Sequence, residues 1–148
     1  MLLSKSCEYA LRTALHLAAA DAEAYTAVRE ISDALRIPHH FLAKTVQTLI
    51  QAGLFASMRG PKGGIALARP ADQVRLSEIV LAVDGPAVFH ACVLGLPGCD
   101  DANPCPLHHE WAPARDRVRQ MFASATLDDT AEQIRAGDFR LAFAAGSG

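Results

Sequence analysis

The sequence has no long hydrophobic run, which excludes a chain built on membrane-spanning helices. Such a helix needs roughly 18 consecutive apolar residues, and no stretch of this 148-residue chain approaches that length. The apolar opening, MLLSKSCEYALRTALHLAAA, is interrupted by Glu8 and Arg12, and it lacks the basic start of a secretory signal peptide. We therefore expect a soluble, cytoplasmic protein with no membrane partner.

Motifs of common catalytic sites are also missing. The chain has no C-x-x-C pair for thiol redox chemistry, no H-E-x-x-H zinc motif and no carboxylate-rich pocket signature. Its glycine-rich turn, RGPKGG, lacks the spacing of a phosphate-binding loop and does not open a helix. These absences argue against an enzyme and leave a small Cys/His metalloenzyme as a remote alternative.

The chain has little net charge, −2, but the charge is unevenly distributed. Residues 1–75 carry nine Lys/Arg and six Asp/Glu, whereas residues 76–148 carry five and ten. Within residues 36–75, six basic residues accompany a single acid, Asp72. Such a segment can attract a polyanion, although an ordinary solvated surface has a similar composition.

The first half predicts three helices. Apolar residues recur at helical spacing over residues 3–20, and again after Thr26, the predicted N-cap of a short helix that ends at Leu35. Residues 36–38, Arg-Ile-Pro, stop this helix because a residue before proline avoids helical geometry. A third helix is predicted from about His39 to about Ala52.

These last two helices, joined by a three-residue turn, are typical of a helix-turn-helix motif. Taken alone, the third helix fits any helical domain. However, the residues after it predict a β-hairpin, with strands at 54–58 and 65–68 and two cations in the turn. A basic hairpin after this motif forms a winged helix, which places the third helix in the major groove and the wing on the backbone or minor groove. The predicted DNA-contacting residues are His39, His40, Lys44, Gln47, Thr48, Arg59 and Lys62.

The second half predicts a short helix over residues 76–83 and, after a cysteine-rich loop, a longer one. In the longer helix, apolar residues are spaced 4, 3, 4 and 3, as in a heptad seam about two repeats long. The seam favours homodimerisation, although packing on the domain's own core would give the same pattern. Pro113 lies within it, so we expect a kink there or a helix that starts there. The seam residues are Leu107, Trp111, Ala114, Val118 and Met121.

The loop CVLGLPGCDDANPCPLHHEW holds three of the four cysteines. In a reducing cytosol, clustered cysteines are more often metal ligands or redox-sensing thiols than structural disulfides. Their spacing, C-x6-C-x5-C-x2-H, differs from zinc knuckles and ferredoxin runs, yet three thiolates on a loop can converge on a soft metal. A metal or cluster, a redox switch and inert packing all stay open at this point. The fourth cysteine, Cys7, lies on the apolar face of the first helix and is predicted to be a small buried core residue.

Several segments together resemble the Rrf-two (Rrf2) family of bacterial winged-helix regulators, which includes the iron–sulfur sensors IscR and NsrR. They are EYALRTALHLA, IPHHFLAKTVQTLIQAGL, RGPKGGIALARP, the helix ending in AVDGP, and the cysteine loop followed by a tryptophan-containing helix. The resemblance implies a homodimer that binds double-stranded operator DNA, usually as a repressor. It also implies one iron–sulfur cluster per subunit, through which the regulator senses nitric oxide, redox or iron–sulfur status.

The resemblance further implies the cluster ligands. Cys92, Cys99 and Cys105 match the three family cysteines, although the first gap is six residues where five is common. His108 matches the fourth ligand of a 2Fe–2S cluster in the assembly-regulator branch. Glu8 matches the acid that completes a 4Fe–4S site from the partner subunit in the nitric oxide sensors. Because EYALR resembles this second branch more, Glu8 and a 4Fe–4S cluster are favoured. A cluster-free thiol- or zinc-based regulator on the same scaffold is the alternative.

The expected architecture is mainly α with a small β-hairpin wing. We expect a winged helix-turn-helix domain over residues 1–85, a cluster-binding loop over 86–106 and a dimerisation helix over 107–125. Residues 126–148 are expected to form a C-terminal segment whose end, AAGSG, is disordered.

Overall fold

The computed structural model describes residues 2–20, 24–137 and 139–142. In these ranges six α-helices surround a core, and two strands form one antiparallel hairpin, so the predicted mainly α fold with a β-hairpin wing is confirmed. Within the same ranges, no helix combines the length and apolar character needed to cross a membrane. The helices are α1 (Lys5–Ala19), α2 (Val28–Leu35), α3 (His39–Gln51), α4 (Leu76–Asp84), α5 (His108–Ser124) and α6 (Leu127–Arg135), and the strands are β1 (Phe55–Met58) and β2 (Gly64–Leu67).

Helix α1 lies at the centre of the fold and packs against α3, α4 and α6. Its N-cap is Ser4, whose hydroxyl accepts a hydrogen bond from the backbone N–H of Cys7 at 3.0 Å. The carboxylate of Asp84, the last residue of α4, accepts from the backbone N–H of Ser4 at 2.8 Å and from its hydroxyl. A negative charge at a helix N-terminus is favourable, so this contact attaches the start of α1 to the end of α4.

Cys7 is fully buried in the core, as predicted. Burial, together with the nearby Asp84 carboxylate, raises the pKa of the Cys7 thiol to about 12. Cys7 is therefore a neutral, inert thiol at physiological pH.

Hydrogen bonds within the turn between α2 and α3, and from α1, hold this turn in place. Arg36 adopts the left-handed conformation (φ 55°) that ends α2. The backbone N–H of Ile37 then donates to the carbonyl of Ser32 at 3.0 Å, and the Ser32 hydroxyl donates to the carbonyl of Ile37. From α1, the guanidinium of Arg12 donates to the carbonyl of Leu35 and, at 2.6 Å, to that of Leu141.

The prediction that Thr26 caps α2 is wrong. Ala27 occupies the N-cap position and forms no side-chain cap. The backbone of Thr26 pairs instead with Ile65 of β2, through hydrogen bonds of 2.9 and 2.8 Å. Two backbone hydrogen bonds to a partner far along the chain take the place of one local side-chain cap, and they attach the wing to the body of the domain.

The chain passes very close to itself at Gly64, where a Cβ atom would overlap the carbonyl group of Thr26. Gly53, which follows α3, also has a positive φ (75°), but a Cβ there would meet nothing within 4 Å. We therefore expect Gly53→Ala to lower the free energy of unfolding by about 1–2 kcal/mol through backbone strain alone. Gly64→Ala should cost about 1–3 kcal/mol more, because the overlap must be relieved. Urea denaturation measures both, and equal costs would contradict the close approach.

Helix α6 is an element that the hydrophobic pattern did not reveal. The hydroxyl of Thr126 caps it by accepting from the backbone N–H of Asp129 at 3.0 Å, and Leu127 and Ala131 are fully buried. The segment also pairs with the chain before α4, where the N–H of Leu127 donates to the carbonyl of Val74 at 2.9 Å. This stretch is thus part of the core around α1. The predicted disordered end, AAGSG, lies outside the described residues.

Pro113 lies inside α5, not at its start. The helix begins at His108, so the prediction of a start at Pro113 is wrong. Proline has no N–H to donate, and its ring crowds the carbonyl four residues earlier, that of His109. The helix nevertheless continues through this position to Ser124.

Candidate metal centre and nucleic-acid interface

The cysteine loop is fastened to α5 at its N-terminal end. A short 3-10 turn, Pro86–Phe89, follows α4 and buries Phe89. Next to it, the indole N–H of Trp111 donates to the carbonyl of Ala91 at 2.9 Å. The guanidinium of Arg115 donates to the carbonyl of His90 at 2.8 Å. At its other end the loop continues directly into α5, so the loop and this helix are positioned together.

The three loop cysteines converge, with their sulfur atoms all within 4.8 Å of one another. The Sγ atoms of Cys92 and Cys105 are 3.6 Å apart. The backbone N–H of Cys105 donates to the Sγ of Cys99 at 3.3 Å, and the backbone N–H of Leu94 donates to the Sγ of Cys92 at 3.4 Å. Backbone N–H groups therefore face two of the sulfurs, as suits thiolate ligands.

The thiols differ in acidity. The backbone N–H groups of Leu96 and Leu94 and the neighbouring thiols lower the pKa of Cys92 to about 7. The N–H of Cys105 also lowers the pKa of Cys99. Burial and the two adjacent thiols outweigh this effect, so the pKa of Cys99 is raised overall. At neutral pH a thiolate thus forms more readily at Cys92 than at Cys99, and thiolates are the form that binds metals.

His108 lies beside this group, and Glu8 does not. The His108 side chain is buried, with Nδ1 at 3.5 Å from the Sγ of Cys99 and Nε2 at 2.8 Å from a carboxylate oxygen of Asp101. Glu8 is on α1, where its carboxylate pairs with Lys5 at 3.1 Å and lines a separate cleft. Within one described chain, the predicted ligands that come together are therefore the three cysteines and His108.

The donor set fits a soft metal centre. Three thiolates and an imidazole suit zinc or iron–sulfur clusters. A single tetrahedral metal with metal–sulfur bonds of about 2.3 Å separates its sulfurs by about 3.8 Å, close to the 3.6 Å between Cys92 and Cys105. A 2Fe–2S cluster would take two ligands on each iron and accommodates one such close pair, whereas a 4Fe–4S cluster would take one thiolate on each iron and needs the thiolates farther apart. Gly95 and Gly98 are exposed, and open space surrounds both, so the loop has room for that adjustment.

The predicted dimerisation seam is only partly exposed. Leu107 and Met121 are 45% and 55% exposed, whereas Val118 packs against the protein's own core. Trp111 is half-buried and hydrogen-bonded to the loop. The exposed part of the seam is therefore its two ends and Ala114.

The predicted DNA-reading side chains lie on one exposed surface. Helix α3 buries Leu42, Val46 and Leu49 against the core. Its opposite face exposes all of its predicted contact residues except Thr48, which is half-buried. At the wing tip Arg59 and Lys62 are both exposed, in a turn closed by the N–H of Gly63 donating to the carbonyl of Gly60 at 2.9 Å. The exposed α3 residues are His39, His40, Lys44 and Gln47.

Phe41 belongs to this surface and was missed by the sequence reasoning. Its ring is 50% exposed and packs on the ring of His40, with centroids 4.3 Å apart. The available signal was its position next to Leu42, which places Phe41 off the buried stripe of α3. An exposed apolar ring near the start of a recognition helix can contact the methyl group of thymine.

A helix-turn-helix with a basic wing defines a winged-helix transcription regulator, here with a cysteine-rich loop and a long helix attached. The Rrf2 family model, described as an iron-dependent transcriptional regulator, matches residues 3–133. The chain belongs to the Rrf2 family.

Both IscR and CymR proteins are among its relatives. The chain is 30% identical over 129 residues to the transcriptional regulator IscR of Pectobacterium carotovorum, covering 87% of this chain and 78% of the relative. The solved structure of CymR, the global cysteine regulator of B. subtilis, matches with a TM-score of 0.74 and 28% identity over 88% of this chain and 95% of CymR. T. potens IscR shares the fold, with a TM-score of 0.73 and 20% identity over 93% and 91% of the two chains. The protein is accordingly a transcription regulator and not an enzyme.

Proposed function

We propose that the protein is a cytoplasmic, homodimeric repressor that binds operator DNA and senses nitric oxide, redox or iron–sulfur status through an iron–sulfur cluster. The observation that carries the proposal is the convergence of Cys92, Cys99 and Cys105 beside the buried imidazole of His108. The likeness to IscR supports it. The proposal has two forms: a 4Fe–4S cluster completed by Glu8 of the partner subunit, which the family resemblance favours, and a 2Fe–2S cluster completed by His108.

A bound cluster would supply iron–sulfur bonds that nitric oxide and oxidants break. The chain's own residues transmit the change. The loop is attached to α5 through Trp111 and Arg115, and α4, which precedes the loop, is attached to α1 through Asp84 and Ser4. Ligation of the three thiols holds one loop conformation, and its loss releases α5 relative to the DNA-reading head. In a dimer this shifts the spacing of the two recognition helices, so ligation biases a two-state equilibrium.

DNA binding is assigned to α3 and the wing. If Arg59 and Lys62 neutralise phosphates, the double substitution Arg59→Ala/Lys62→Ala should reduce the slope of log affinity against log salt by about 2, roughly one unit for each lost phosphate contact. Fluorescence anisotropy over a salt series measures this slope. Arg117→Ala removes a cation from α5 and is the matched control, expected to leave the slope unchanged. An unchanged slope in the wing variant would show that the wing does not contact phosphates.

The decisive test of the proposed function is purification without oxygen. We expect a coloured protein that contains iron and acid-labile sulfide and binds duplex DNA in a salt-sensitive way. A colourless, iron-free protein with thiol-dependent DNA binding would contradict the proposal that it binds an iron–sulfur cluster. Absence of salt-sensitive duplex binding in both the loaded and the cluster-free forms would overturn DNA-dependent regulation.

A second candidate is a cluster-free regulator that uses zinc or the thiols themselves. The observation that favours it over a 4Fe–4S cluster is the 3.6 Å separation of the Cys92 and Cys105 sulfurs, which suits a single tetrahedral metal or a thiol pair. The likeness to CymR, which has also been solved in an oxidized form from Staphylococcus aureus, supports this candidate.

The same separation predicts which disulfide forms in metal-free protein. With hydrogen peroxide, we expect Cys92 and Cys105 to lose two protons and two electrons and form a disulfide, while the peroxide is reduced to two water molecules. Alkylation followed by peptide mass spectrometry identifies the pair. Cys7, fully buried, is the internal control and should stay reduced. A predominant disulfide between any other pair would contradict the observed loop arrangement.

A further inference from the structure

The imidazole of His108 connects an exposed carboxylate to the thiol group. Its Nε2 is 2.8 Å from Asp101 Oδ1, and its Nδ1 is 3.5 Å from Cys99 Sγ. We propose that Asp101 is a positioning residue that fixes the His108 tautomer, so that the lone pair of Nδ1 faces the three cysteines. The inference rests on the proposed function in one respect, that the cysteines bind a metal or cluster.

The proposal follows from the hydrogen-bonding capacity of the two groups. A neutral imidazole has one N–H donor and one acceptor nitrogen, and an ionised carboxylate can only accept. The nitrogen that faces Asp101 must therefore carry the hydrogen, which leaves Nδ1 bare on the side of Cys99. Metal-binding histidines almost always donate their second ring N–H to a carboxylate, a backbone carbonyl or water, and this partner sets the tautomer and the ring orientation.

The surrounding loop holds both partners in place. The carboxylate of Asp100 accepts from the backbone N–H groups of Ala102 at 2.9 Å and Asn103 at 2.8 Å, which forms a tight turn around Asp101. The backbone N–H of His108 donates to the carbonyl of Cys105 at 3.1 Å. His108 is buried, so the fixed backbone and close packing leave its ring little freedom to turn over.

The side chain of Asp101 is 95% exposed, whereas that of His108 is 6% exposed. An exposed partner adds little to stability because water competes for it. The role of Asp101 is therefore to select the tautomer rather than to stabilise the fold. This arrangement supports His108 as the fourth ligand, opposite to the choice that the family resemblance favours.

Nitrogen NMR of the reduced, metal-free protein at mildly alkaline pH tests the tautomer directly. With 15N-labelled histidine, long-range proton–nitrogen couplings distinguish a ring protonated at Nε2 from one protonated at Nδ1, and His108→Gln assigns the signal. We expect Nε2–H for His108 in the wild type, loss of this preference in Asp101→Ala, and no change in the control Asp116→Ala on α5. A wild-type ring protonated at Nδ1, or an unchanged tautomer in Asp101→Ala, overturns the inference.

Cobalt(II) binding gives a second readout that needs neither iron nor DNA. We expect Asp101→Ala to weaken cobalt(II) affinity by about 10- to 100-fold, the usual effect of losing the partner of a metal-binding histidine. Asp116→Ala should bind as the wild type does, and equal affinity in Asp101→Ala overturns the inference. The protein could lack iron after anaerobic purification and still show the expected tautomer and cobalt(II) effects. That result would contradict the proposed iron–sulfur cluster but not the proposed role of Asp101.

Discussion

Cys105→Ala is expected to abolish cofactor binding. Cys105 is the most buried of the loop cysteines, its sulfur lies 3.6 Å from that of Cys92, and its N–H faces the sulfur of Cys99. Its loss removes a ligand outright, so affinity should fall by more than about 100-fold, since loss of an outer hydrogen-bond partner alone costs about 10- to 100-fold. Iron, sulfide and zinc content per chain after anaerobic purification measures the effect.

Cys7→Ala is the matched control for this experiment. It makes the same chemical change at a cysteine that is buried in the core, and it should leave the cofactor content unchanged. Stoichiometric cofactor in Cys105→Ala would show that the three thiols do not act together as a ligand set.

The second large effect is expected on DNA. The double substitution Lys44→Ala/Gln47→Ala removes two exposed side chains from the reading face of α3. Each base contact contributes about 1–3 kcal/mol of discrimination, so affinity for the preferred duplex should fall roughly 100-fold. Affinity for random duplex should fall much less, because the wing cations remain. Anisotropy titrations at one fixed salt concentration, with a duplex selected by the wild-type protein, measure both affinities.

Gln133→Ala on α6 is the control and should bind both duplexes as the wild type does. A loss of equal size on selected and random DNA would mean that Lys44 and Gln47 contact only the backbone. Circular dichroism checks that each variant keeps the helix content of the wild type.

Local patterns were sufficient to predict α3 and the β-hairpin wing. The apolar stripe of α3, the proline before it and Gly53 after it placed this helix within one residue of its observed bounds. The hairpin could be predicted equally well, because a glycine-rich basic turn separates two short apolar runs. In both cases the determining interactions lie close together in the sequence.

Features that depend on distant partners could not be predicted. Thr26 has the side chain of a good N-cap, but its backbone pairs with Ile65, which a local pattern does not reveal. Helix α6 was missed because its few apolar residues form no long stripe. Its burial depends on α1, more than a hundred residues earlier.

The candidate metal centre was predictable in composition but not in arrangement. The clustered cysteines left a soft-metal site, a redox switch and inert packing open, and the family resemblance left His108 and Glu8 as competing fourth ligands. The difference lies in how the loop folds, because the turn at Asp100 brings Asp101 to the His108 ring while Glu8 lies in another cleft. Sequence spacing carries no information on such side-chain orientation.

The guanidinium of Arg12 has a further consequence for dynamics. It donates to the carbonyl of Leu35 at the end of α2 and to that of Leu141 near the end of the described chain. Two segments that are remote in sequence therefore share one donor group on the central helix. When residues 139–142 open, the guanidinium loses its hydrogen bond to Leu141, one of the two that orient it. Its remaining hydrogen bond to Leu35, at the α2–α3 turn, is then weakened. We therefore expect amide hydrogen exchange in the turn before α3 to be coupled to the opening of residues 139–142.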